Sequence, residues 1–488
     1  MGPDGFRWDP MGPDGIQWRR WWTVGSLHHD PIAPPPCGVA TVRLLASEVA
    51  TVLDGMLHGP DVTVDGASVD SRSIAPGALF VPVVAVRDGH RYIDDALASG
   101  AEAYLTSEVP AGGTAIAVDD TRSALWALGV HARGKLPDLV IGITGSVGKT
   151  TVKDLAAGGL MAGGVAAGGG AAGLRTHATH ASYNNELGVP LTLLGAPDDV
   201  EAVVVEMGAR FPGDIARLCA MVRPTIGVIT SIGSSHLEHL GGPEGVAEEK
   251  GSLIEGLPAS GYAILNDVEC GPDVRRRTDA TIVTFGTASG DVRARVVGRD
   301  LDLRPTVHIE SPWGSGEVVL SVRGDHQAVN AAAALAVAAC AGVDFDAALA
   351  GVATAEGSQM RAEFWRTPTG LRVLNDSYNA NPNSMEAALR TLAQVDAPRR
   401  VAVLGEMAEL GASGHAAHQR MGQLADSLGI EVIAVGVPGY GGINVADQAE
   451  ALDLVVALPV DSVVLVKASR SVGLDKLADR LRTPGATT

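Results

Sequence analysis

The chain has 488 residues, which predicts about three domains at roughly 100–200 residues per domain. Hydrophobic residues make up 46% of it and charged residues 19%, so it can bury sizeable cores and is not wholly disordered. The net charge of −19 argues against a nucleic-acid partner. No uninterrupted run of about 18 apolar residues occurs, so we expect no membrane insertion.

The four cysteines indicate a reducing compartment. Cys37, Cys219, Cys270 and Cys340 are far apart, and no CxxC pair occurs. This spacing argues against a disulfide framework and against a thiolate zinc site. We therefore expect a cytoplasmic protein.

Residues 1–41 differ from the rest of the chain. They contain the near-repeat MGPDGFRWDP and MGPDGIQWRR, a proline-rich stretch and four of the seven tryptophans. They lack the charged start, apolar middle and small-residue cleavage site of a secretory signal. We interpret them as a disordered extension or the product of a misassigned start site, with a short aromatic docking segment as the alternative.

From residue 42 onwards the pattern is that of a folded α/β protein. Residues 42–122 combine a helix-like stretch, LLASEVATVLDG, with the strand-like runs VTVDGASVDSR and ALFVPVVAV, which predicts a small α/β domain. In residues 123–355, apolar runs such as AVVVEMG and TIGVITSIG are followed by helical periodicity, which indicates a parallel sheet with crossover helices. Residues 356–488 form a third α/β unit, with strands at LRVLND, RVAVLG, EVIAVG and SVVLVK.

One segment of low complexity interrupts the second domain. Residues 158–173 read GGLMAGGVAAGGGAAG. Because glycine disfavours a helix interior, we expect the helix that begins at Lys149 to fray here. We interpret the segment as a flexible surface loop.

The strongest motif is GITGSVGKTT at residues 142–151, between a predicted strand and a predicted helix. Glycines allow backbone N–H groups to close around phosphate oxygens, and the helix N-terminus adds its dipole. In such a loop Lys149 reaches the β- and γ-phosphates and the Thr150 hydroxyl binds Mg²⁺. Ile143 stands where the strict pattern requires glycine, so the motif is a variant.

Two further residues are candidate metal ligands. Glu206 ends the apolar run AVVVEMG, where a parallel strand would deliver it to the edge of the sheet beside the phosphate loop. His236 follows the next predicted strand, and imidazole can share a metal with a carboxylate. A solvated strand end and a surface-loop histidine are the alternatives. His239 suggests zinc, but no cysteine cluster or HExxH helix supports that interpretation.

Polar residues also cluster further along the chain. Asn330 opens a helix of small residues, Arg361 lies in SQMRAEF, and the run NDSYNANPN at residues 375–383 follows a predicted strand. Ordinary turn chemistry can explain such a run. A tyrosine and several asparagines around one aspartate favour a ligand-binding surface.

In this order and spacing, the motifs resemble those of the Mur ligases, ATP-dependent enzymes that form amide bonds in peptidoglycan synthesis. The resemblance extends from residue 44 to residue 482. It rests on VDSRSIAPGALFV, RDGHRYIDDAL, GITGSVGKTTVKD, SYNNELGVPLTLL, VVEMGAR, HLEHLGGPEGVAEEKGSLIEGL, GDHQAVNAAAA, NDSYNANPNSMEAAL, LGEMAELG and VLVKASRSVGL. The run NDSYNANPNSM favours those members that add D-alanyl-D-alanine to a UDP-N-acetylmuramoyl-tripeptide.

The resemblance implies an α/β architecture of three domains. The first binds the UDP-substrate, the central one is a phosphate-loop (P-loop) ATPase domain, and the C-terminal one is a Rossmann-like ligase domain. It also implies ATP and two Mg²⁺ ions as cofactors. A monomer would join the two small-molecule substrates, UDP-N-acetylmuramoyl-tripeptide and D-Ala-D-Ala, through an acyl phosphate.

Matched residue by residue, the resemblance implies three sets of site residues. Those that bind the nucleotide are Gly145, Ser146, Gly148, Lys149, Thr150, Thr151, Asn330, Arg361 and Asp376. Those that bind metal are Thr150, Glu206, His236 and Lys250, the last of which is carbamylated in relatives and bridges to the second Mg²⁺. Those that bind the other substrates are Ser71, Arg72, Asn184, Asn185, Tyr378 and Asn379. The catalytic residues implied are Lys149, His236, Lys250 and Arg361.

The sequence departs from the family pattern in three places. Ser182 stands where many relatives have Asn in a GNxNN run, and we assign no catalytic consequence to this change. The Gly/Ala-rich segment lengthens the region after the phosphate loop. The RDGH run is reached one residue early, which affects the expected geometry of the uridine-side loop.

Four alternatives compete with this interpretation. The nearest is a Mur-ligase-like amide synthetase of another, specialised pathway, with a different carboxylate or amine. Folylpolyglutamate synthase shares the central chemistry, but SYNNELG and NDSYNANPNSM argue against it. A GTPase-like switch would need an NKxD motif, which the sequence lacks. The presence of Lys149, Thr150, Glu206 and Lys250 together argues against a catalytically silent binding protein.

Overall fold

The computed structural model describes residues 41–162, 173–233 and 237–482, without the side chains of residues 237 and 238. Residues 1–40 and 163–172 lie outside these ranges, so the predicted extension and most of the predicted Gly/Ala-rich loop stay predictions. The predicted metal ligand His236 also lies outside them. Across the ranges described, no helix is long and apolar enough to cross a membrane.

The first part of the described chain forms a small α/β unit. Its strands are β1 (Arg43–Leu45), β2 (Met56–His58), β3 (Thr63–Asp65), β4 (Ala67–Ser68), β5 (Leu79–Phe80), β6 (Ala103–Thr106) and β7 (Ala115–Ala117). Its helices are α1 (Ala46–Val52), α2 (Ile93–Ala98) and α3 (Thr121–Arg133). β1 pairs with β3, and the other strands form a five-stranded sheet in the order β2-β7-β6-β5-β4, in which only β2 is antiparallel.

The central part is built on a nine-stranded sheet. Its strands are β8 (Val140–Thr144), β9 (Thr176–Ala178), β10 (Ala202–Glu206), β11 (Ile226–Ile229), β12 (Tyr262–Asn266), β13 (Thr281–Gly286), β14 (Val292–Arg299), β15 (Pro305–Ser311) and β16 (Gly314–Val319). Its helices are α4 (Lys149–Met161), α5 (Gly188–Leu194), α6 (Asp214–Val222), α7 (Leu237–Leu240), α8 (Pro243–Glu255), α9 (Pro272–Arg275), α10 (Gln327–Cys340) and α11 (Phe345–Thr354). The order is β16-β15-β14-β13-β12-β11-β8-β10-β9, parallel from β9 to β14.

The last part has a six-stranded sheet. Its strands are β17 (Glu363–Arg366), β18 (Arg372–Asn375), β19 (Arg400–Leu404), β20 (Glu431–Val435), β21 (Ile443–Val445) and β22 (Val463–Lys467). Its helices are α12 (Pro382–Ala393), α13 (Gly414–Ser427), α14 (Gln448–Val456) and α15 (Asp475–Arg482). The order is β17-β18-β22-β19-β20-β21, parallel except for β17. The α/β class predicted from the sequence is confirmed, while the boundaries after residues 41, 122 and 355 stay predictions.

The order of the central strands determines where the chemistry-bearing loops meet. β8 is buried along its whole length, and its neighbours on the two sides are β10 and β11. All three strands are parallel, so their carboxyl ends lie at the same edge of the sheet. The phosphate loop, Glu206 and the loop after β11 therefore converge at this edge.

The helix α4 is longer than the sequence predicts. It continues to Met161, whereas we expected it to fray from residue 158. At Gly158 a Cβ atom would lie 2.6 Å from the Cβ of Ala355 and 2.9 Å from the carbonyl oxygen of Gly351. The glycine therefore allows α4 to pack closely on α11, and this packing outweighs its low helix propensity.

A loop of the central sheet inserts into the last unit. Leu303, between β14 and β15, is only 4% exposed and belongs to the same buried apolar cluster as Ala362, Leu374 and Leu392. Leu301, two residues earlier, is 96% exposed. The side chain of Leu303 thus joins the two units through apolar burial.

We expect Leu303→Ala to lower the free energy of unfolding by about 2–5 kcal/mol, because it leaves a cavity where the two units meet. Leu301→Ala is the matched control and should change this free energy by less than about 0.5 kcal/mol. Urea-induced unfolding of the purified proteins measures both values. Equal effects of the two substitutions would contradict the joining role of Leu303.

Candidate active site

The phosphate loop between β8 and α4 approaches its neighbours too closely for side chains at two positions. Gly145 has φ +151° and Gly148 has φ +85°, values that L side chains rarely adopt. A Cβ at Gly145 would lie 1.9 Å from Oγ1 of Thr230, and one at Gly148 would lie 2.7 Å from Oδ1 of Asn330. The glycines of the motif are therefore required by both conformation and packing.

Hydrogen bonds to the segment after β11 hold the loop in place. The N–H of Ser146 donates to the carbonyl of Ser231 (3.0 Å), and the N–H of Val147 donates to the Ser231 hydroxyl (2.8 Å). The N–H of Gly233 donates to Oγ of Ser146 (2.8 Å). The loop is thus fixed by its own fold before any ligand arrives.

Lys149 lies over this loop. Its Nζ donates to the carbonyl oxygen of Gly145 at 2.7 Å. Desolvation lowers the pKa of Lys149, the carboxylate of Glu206 opposes this effect, and Arg361 adds to it. Lys149 therefore lies close enough to Glu206 and to Arg361 of the last unit for their charges to affect its pKa.

The hydroxyl of Thr150 is the point where three distant segments meet. Thr150 is buried, and its Oγ1 lies 3.1 Å from Oγ of Ser182 and 3.3 Å from Nη2 of Arg361, which donates to it. Ser182 follows β9, and Arg361 precedes β17 in the last unit. The departure from the family pattern at Ser182 thus lies directly against a predicted metal ligand, which local sequence did not indicate.

One carboxylate oxygen of Glu206 accepts no hydrogen bond from the described residues. Its side chain is buried, Oε1 accepts a hydrogen bond from Nδ2 of Asn184 (2.7 Å), and Oε2 is buried without a hydrogen-bond partner among the described residues. Burying a carboxylate oxygen without a partner is costly. Mg²⁺ prefers oxygen ligands, so this oxygen and the Thr150 hydroxyl suit that ion.

Lys250 is enclosed in α8 on the side of the phosphate loop. It is 2% exposed, and burial together with the charge of Lys149 lowers its pKa to about 7. The adjacent Glu249 accepts hydrogen bonds from the N–H groups of Gly213 (2.6 Å) and Ile215 (2.7 Å) at the start of α6. These bonds fix α8 and therefore the direction in which Lys250 leaves it.

Arg361 is held by an unusual backbone. Met360 and Ala362, on either side of it, have φ values of +57° and +52°, and such non-glycine conformations cost roughly 1–3 kcal/mol each. The guanidinium lies over the ring of Tyr378, with 4.2 Å from Cζ to the ring centroid. The surrounding contacts must therefore compensate for the strain that brings Arg361 to Thr150.

Asp376 is engaged within the last unit. Its Oδ2 accepts from Nζ of Lys467 (2.5 Å), and its Oδ1 accepts from the N–H of Ala362 (3.2 Å). Lys467 is almost fully buried, and we assigned it no function from the sequence. The available signal was a lysine that ends the apolar strand SVVLVK.

Two predicted asparagines contact protein groups at the site. Oδ1 of Asn330 faces Gly148 of the loop, and its Nδ2 donates to Oε1 of Gln327 (2.7 Å). Oδ1 of Asn185 accepts from the N–H groups of Leu187 (3.1 Å) and Gly188 (2.9 Å). Asn330 is thus part of the phosphate-loop wall, and Asn185 supports the start of α5.

Four further predicted residues are distributed over the three units. Thr151 continues α4 after Thr150, and Asn379 accepts from Lys467 through its backbone carbonyl (2.9 Å). Ser71 is buried in the first unit, whereas Arg72 is exposed and pairs with Asp70 (2.5 Å).

Tyr183 lies near titratable groups of both the first and the last unit. Burial and the nearby groups of Asp70 and Tyr378 raise its pKa to about 12. Asp70 belongs to the first unit, beside the predicted substrate contact Ser71, and Tyr378 belongs to the last unit. All three α/β units therefore contribute residues near the end of β9.

A phosphate loop, a buried carboxylate with a free oxygen and an arginine from a separate unit define a nucleotide-dependent enzyme of three α/β parts. Two family descriptions match the chain: the Mur ligase middle domain at residues 143–338 and the Mur ligase, glutamate ligase domain at residues 360–482. The chain belongs to the Mur ligase family.

Individual relatives match over most of the chain. The UDP-N-acetylmuramoyl-tripeptide–D-alanyl-D-alanine ligase of Escherichia coli is 33% identical, over 91% of this chain and 99% of its own. A crystal structure of MurF from Acinetobacter baumannii covers 91% of this chain and 100% of its own, with 28% identity and a TM-score of 0.78. The MurF ligase of Thermotoga maritima in complex with ADP covers 86% of this chain and 97% of its own, with 26% identity and a TM-score of 0.72.

We expect Glu206→Gln to abolish stabilisation by Mg²⁺, because the neutral amide keeps the shape of the side chain but removes its charge. In Mg²⁺-free buffer the variant should melt at a lower temperature than the wild type, because it loses the carboxylate that offsets the buried charge of Lys149. Melting temperatures with and without Mg²⁺, in the presence of ADP, measure both effects. Glu244→Gln, at an exposed position of α8, is the control and should behave as wild type. An equal Mg²⁺ response of Glu206→Gln and wild type would remove Glu206 from the metal site.

Proposed function

We propose that this protein is an ATP-dependent ligase that joins D-alanyl-D-alanine to UDP-N-acetylmuramoyl-tripeptide in the synthesis of peptidoglycan precursors. One observation carries the proposal: the hydroxyl of Thr150, next to the phosphate loop, contacts both Ser182 and Arg361 of the last unit. The names of the relatives that match nearly the whole chain support this choice of substrates.

The reaction needs activation because a carboxylate is a poor acyl donor. An oxygen of the tripeptide carboxylate forms a bond to the γ-phosphorus of ATP while the bond to the β,γ-bridging oxygen breaks, which yields an acyl phosphate and ADP. The amine nitrogen of D-Ala-D-Ala then attacks the acyl carbon. The tetrahedral adduct loses phosphate, and the nitrogen loses a proton, to leave the amide.

The residues of the site offset the repulsion between the two anionic reactants. The N–H groups at the start of α4 and the ammonium of Lys149 provide positive potential for the phosphates of ATP. Thr150 and Glu206 would hold Mg²⁺, which neutralises phosphate charge when it is bound. Arg361 adds a second cation from the last unit.

We assign to the last unit the closing of the site. Arg361 reaches Thr150 only when the last unit is docked, and Oδ2 of Asp154 in α4 accepts hydrogen bonds from the N–H (2.9 Å) and hydroxyl (2.7 Å) of Ser358 beside it. Docking would exclude the water that otherwise hydrolyses an acyl phosphate. Tyr378 and Asn379 of the same unit would face the incoming amine.

We further propose that His236 joins Thr150 and Glu206 in holding the first Mg²⁺, and that a carbamylated Lys250 would hold a second Mg²⁺. The enclosed position of Lys250 beside Lys149 supports this assignment, because a second ammonium there would repel both Lys149 and a metal ion. Addition of CO₂ to the amine forms an N–C bond with loss of one proton, and gives an anion with two oxygens. Such oxygens suit Mg²⁺.

We also propose that the enzyme acts as a monomer in the cytoplasm. The contacts among Lys149, Thr150, Glu206 and Arg361 all form within one chain. The three described cysteines are unpaired, as is usual in a reducing compartment.

We expect phosphate release from ATP to require both UDP-N-acetylmuramoyl-tripeptide and D-Ala-D-Ala, because the acyl phosphate is resolved only by the amine. A coupled phosphate assay with each substrate alone and with both measures this requirement. Lys149→Ala should lower the rate by at least about 10²-fold, because it removes a charge that stabilises the transferred phosphoryl group. Lys135→Ala, on the partly exposed lysine that pairs with Glu48, is the matched control.

Two results would contradict this proposal. Phosphate release at the same rate without any amine would exclude the ligase reaction. Turnover that appears only with a different carboxylate or amine would support an amide synthetase of another pathway.

We expect Lys250→Arg to lose nearly all activity at every bicarbonate concentration, because arginine keeps the positive charge but cannot be carbamylated. Lys250→Ala should be equally inactive, yet added short-chain carboxylic acids should restore part of its rate by supplying the missing oxygens. The same phosphate assay measures both variants, and their melting temperatures check that they fold. If Lys250→Arg keeps most of the wild-type rate, Lys250 has no carbamate role.

A further inference from the structure

The ammonium of Lys467 is fixed in the interior of the last unit. Lys467 ends β22, is 1% exposed, and donates to Oδ2 of Asp376 (2.5 Å), to the carbonyl of Asp376 (3.3 Å) and to the carbonyl of Asn379 (2.9 Å). All three donor positions of the ammonium are therefore used. A lysine that is buried and fully paired inside a protein holds together the groups that it contacts.

Those groups belong to the two segments that flank Arg361. Oδ1 of Asp376 accepts from the N–H of Ala362, next to Arg361 in the chain (3.2 Å). Asn379 follows Tyr378, whose ring lies under the guanidinium, and the N–H of Tyr378 donates to the carbonyl of Met360 (3.3 Å). The ammonium is thus linked through Asp376 to the backbone beside Arg361. It is also linked through Asn379 to the neighbouring Tyr378, whose ring lies under the guanidinium.

The segment after Lys467 contacts the residue that precedes Arg361. Nη1 of Arg470 lies 3.3 Å from Sδ of Met360. Met360 and Ala362 are the two residues of positive φ that flank Arg361. Arg470 contacts the side chain of Met360, and Lys467 reaches the backbone of Ala362 through Asp376. Backbone strain of this kind persists only where neighbouring contacts impose it.

We infer that Lys467 is a positioning residue for Arg361 in the proposed ligase reaction. Through Asp376 and Asn379 its ammonium holds the strained backbone around Arg361 and the ring of Tyr378, so that the guanidinium reaches the hydroxyl of Thr150. Lys467 itself contacts neither Thr150 nor the phosphate loop. The inference rests on the proposed function for its kinetic consequence and on the contacts above for its geometry.

A double-mutant cycle between Lys467 and Arg361 tests this inference. Lys467→Met keeps the side-chain stem and removes the ammonium, and should lower kcat by up to about 10²-fold, because small displacements of a catalytic group are that costly. If Lys467 acts through Arg361, adding Lys467→Met to Arg361→Ala should cause no further loss beyond about twofold. Losses that multiply in the double variant would overturn the inference.

The control separates positioning from loss of stability. Tyr440→Phe removes another buried hydrogen bond of the last unit, from the tyrosine hydroxyl to the carbonyl of Gly405 (2.9 Å). It should lower the melting temperature but leave kcat unchanged and show no coupling with Arg361→Ala. If Lys467→Met does not fold, the variant Lys467→Met/Asp376→Asn, which leaves no unpaired buried charge, replaces it in the cycle.

A binding experiment distinguishes this inference from the proposed function. The affinity of the same variants for the Mg²⁺ complex of the non-hydrolysable ATP analogue AMP-PNP, measured by calorimetry, requires neither peptide substrate. Lack of coupling between Lys467 and Arg361 in this affinity and in kcat would overturn the inference. The enzyme could form no amide with the tripeptide and still show coupling between Lys467 and Arg361 in its affinity for AMP-PNP. That result would support the inference and contradict only the proposed function.

Discussion

The site depends on a close approach of the phosphate loop to the structures around it. The loop lies against Thr230 on one side and Asn330 on the other, at distances that only Gly145 and Gly148 permit. This approach places the start of α4, with Lys149 and Thr150, at the edge of the sheet near Glu206 and Arg361. A side chain at either glycine would move the loop, and with it every contact made by Thr150.

Charge at the site is arranged against the overall charge of the protein. The chain carries −19, yet Lys149 lies near two other cations, Lys250 and Arg361, as well as near the buried carboxylate of Glu206. A local group of cations at a helix N-terminus can bind anionic ligands whatever the net charge. Burial lowers the pKa of both lysines; the charge of Arg361 adds to this effect at Lys149, and the charge of Lys149 adds to it at Lys250. Binding of anions would relieve this repulsion.

The last unit contributes to the site through a strained segment. Arg361 stands between two residues of positive φ. Lys467, at the end of β22, reaches the backbone of Ala362 through Asp376, and Arg470 contacts the side chain of Met360. Leu303 joins the same unit to the central sheet by apolar burial. The last unit is thus attached to the central one by polar contacts near Thr150 and by apolar contacts at Leu303. A movement of the last unit away from the central one would separate Arg361 from Thr150 and expose the Thr150 hydroxyl to water.

Local sequence patterns were enough to predict the α/β class, the phosphate loop and the position of Glu206 at a strand end. These features follow from neighbours in the chain: apolar runs predict buried strands, and glycines before GKTT predict a turn into a helix. The resemblance to the Mur ligases extended this to Arg361 and Lys250, without indicating what either side chain contacts. His236 and the first forty residues stay predictions.

The contacts between distant side chains follow from the folded arrangement of the chain. Ser182 lies 32 residues from Thr150 in the chain, and Lys467 lies 91 residues from Asp376. Both contacts follow from the order of strands, since β22 lies between β18 and β19, and β10 joins β8 to β9. The order of strands in a sheet is set by the packing of whole elements, which no local pattern records. For the same reason α4 extends beyond its propensity, because α11 packs on the glycine where the helix was expected to fray.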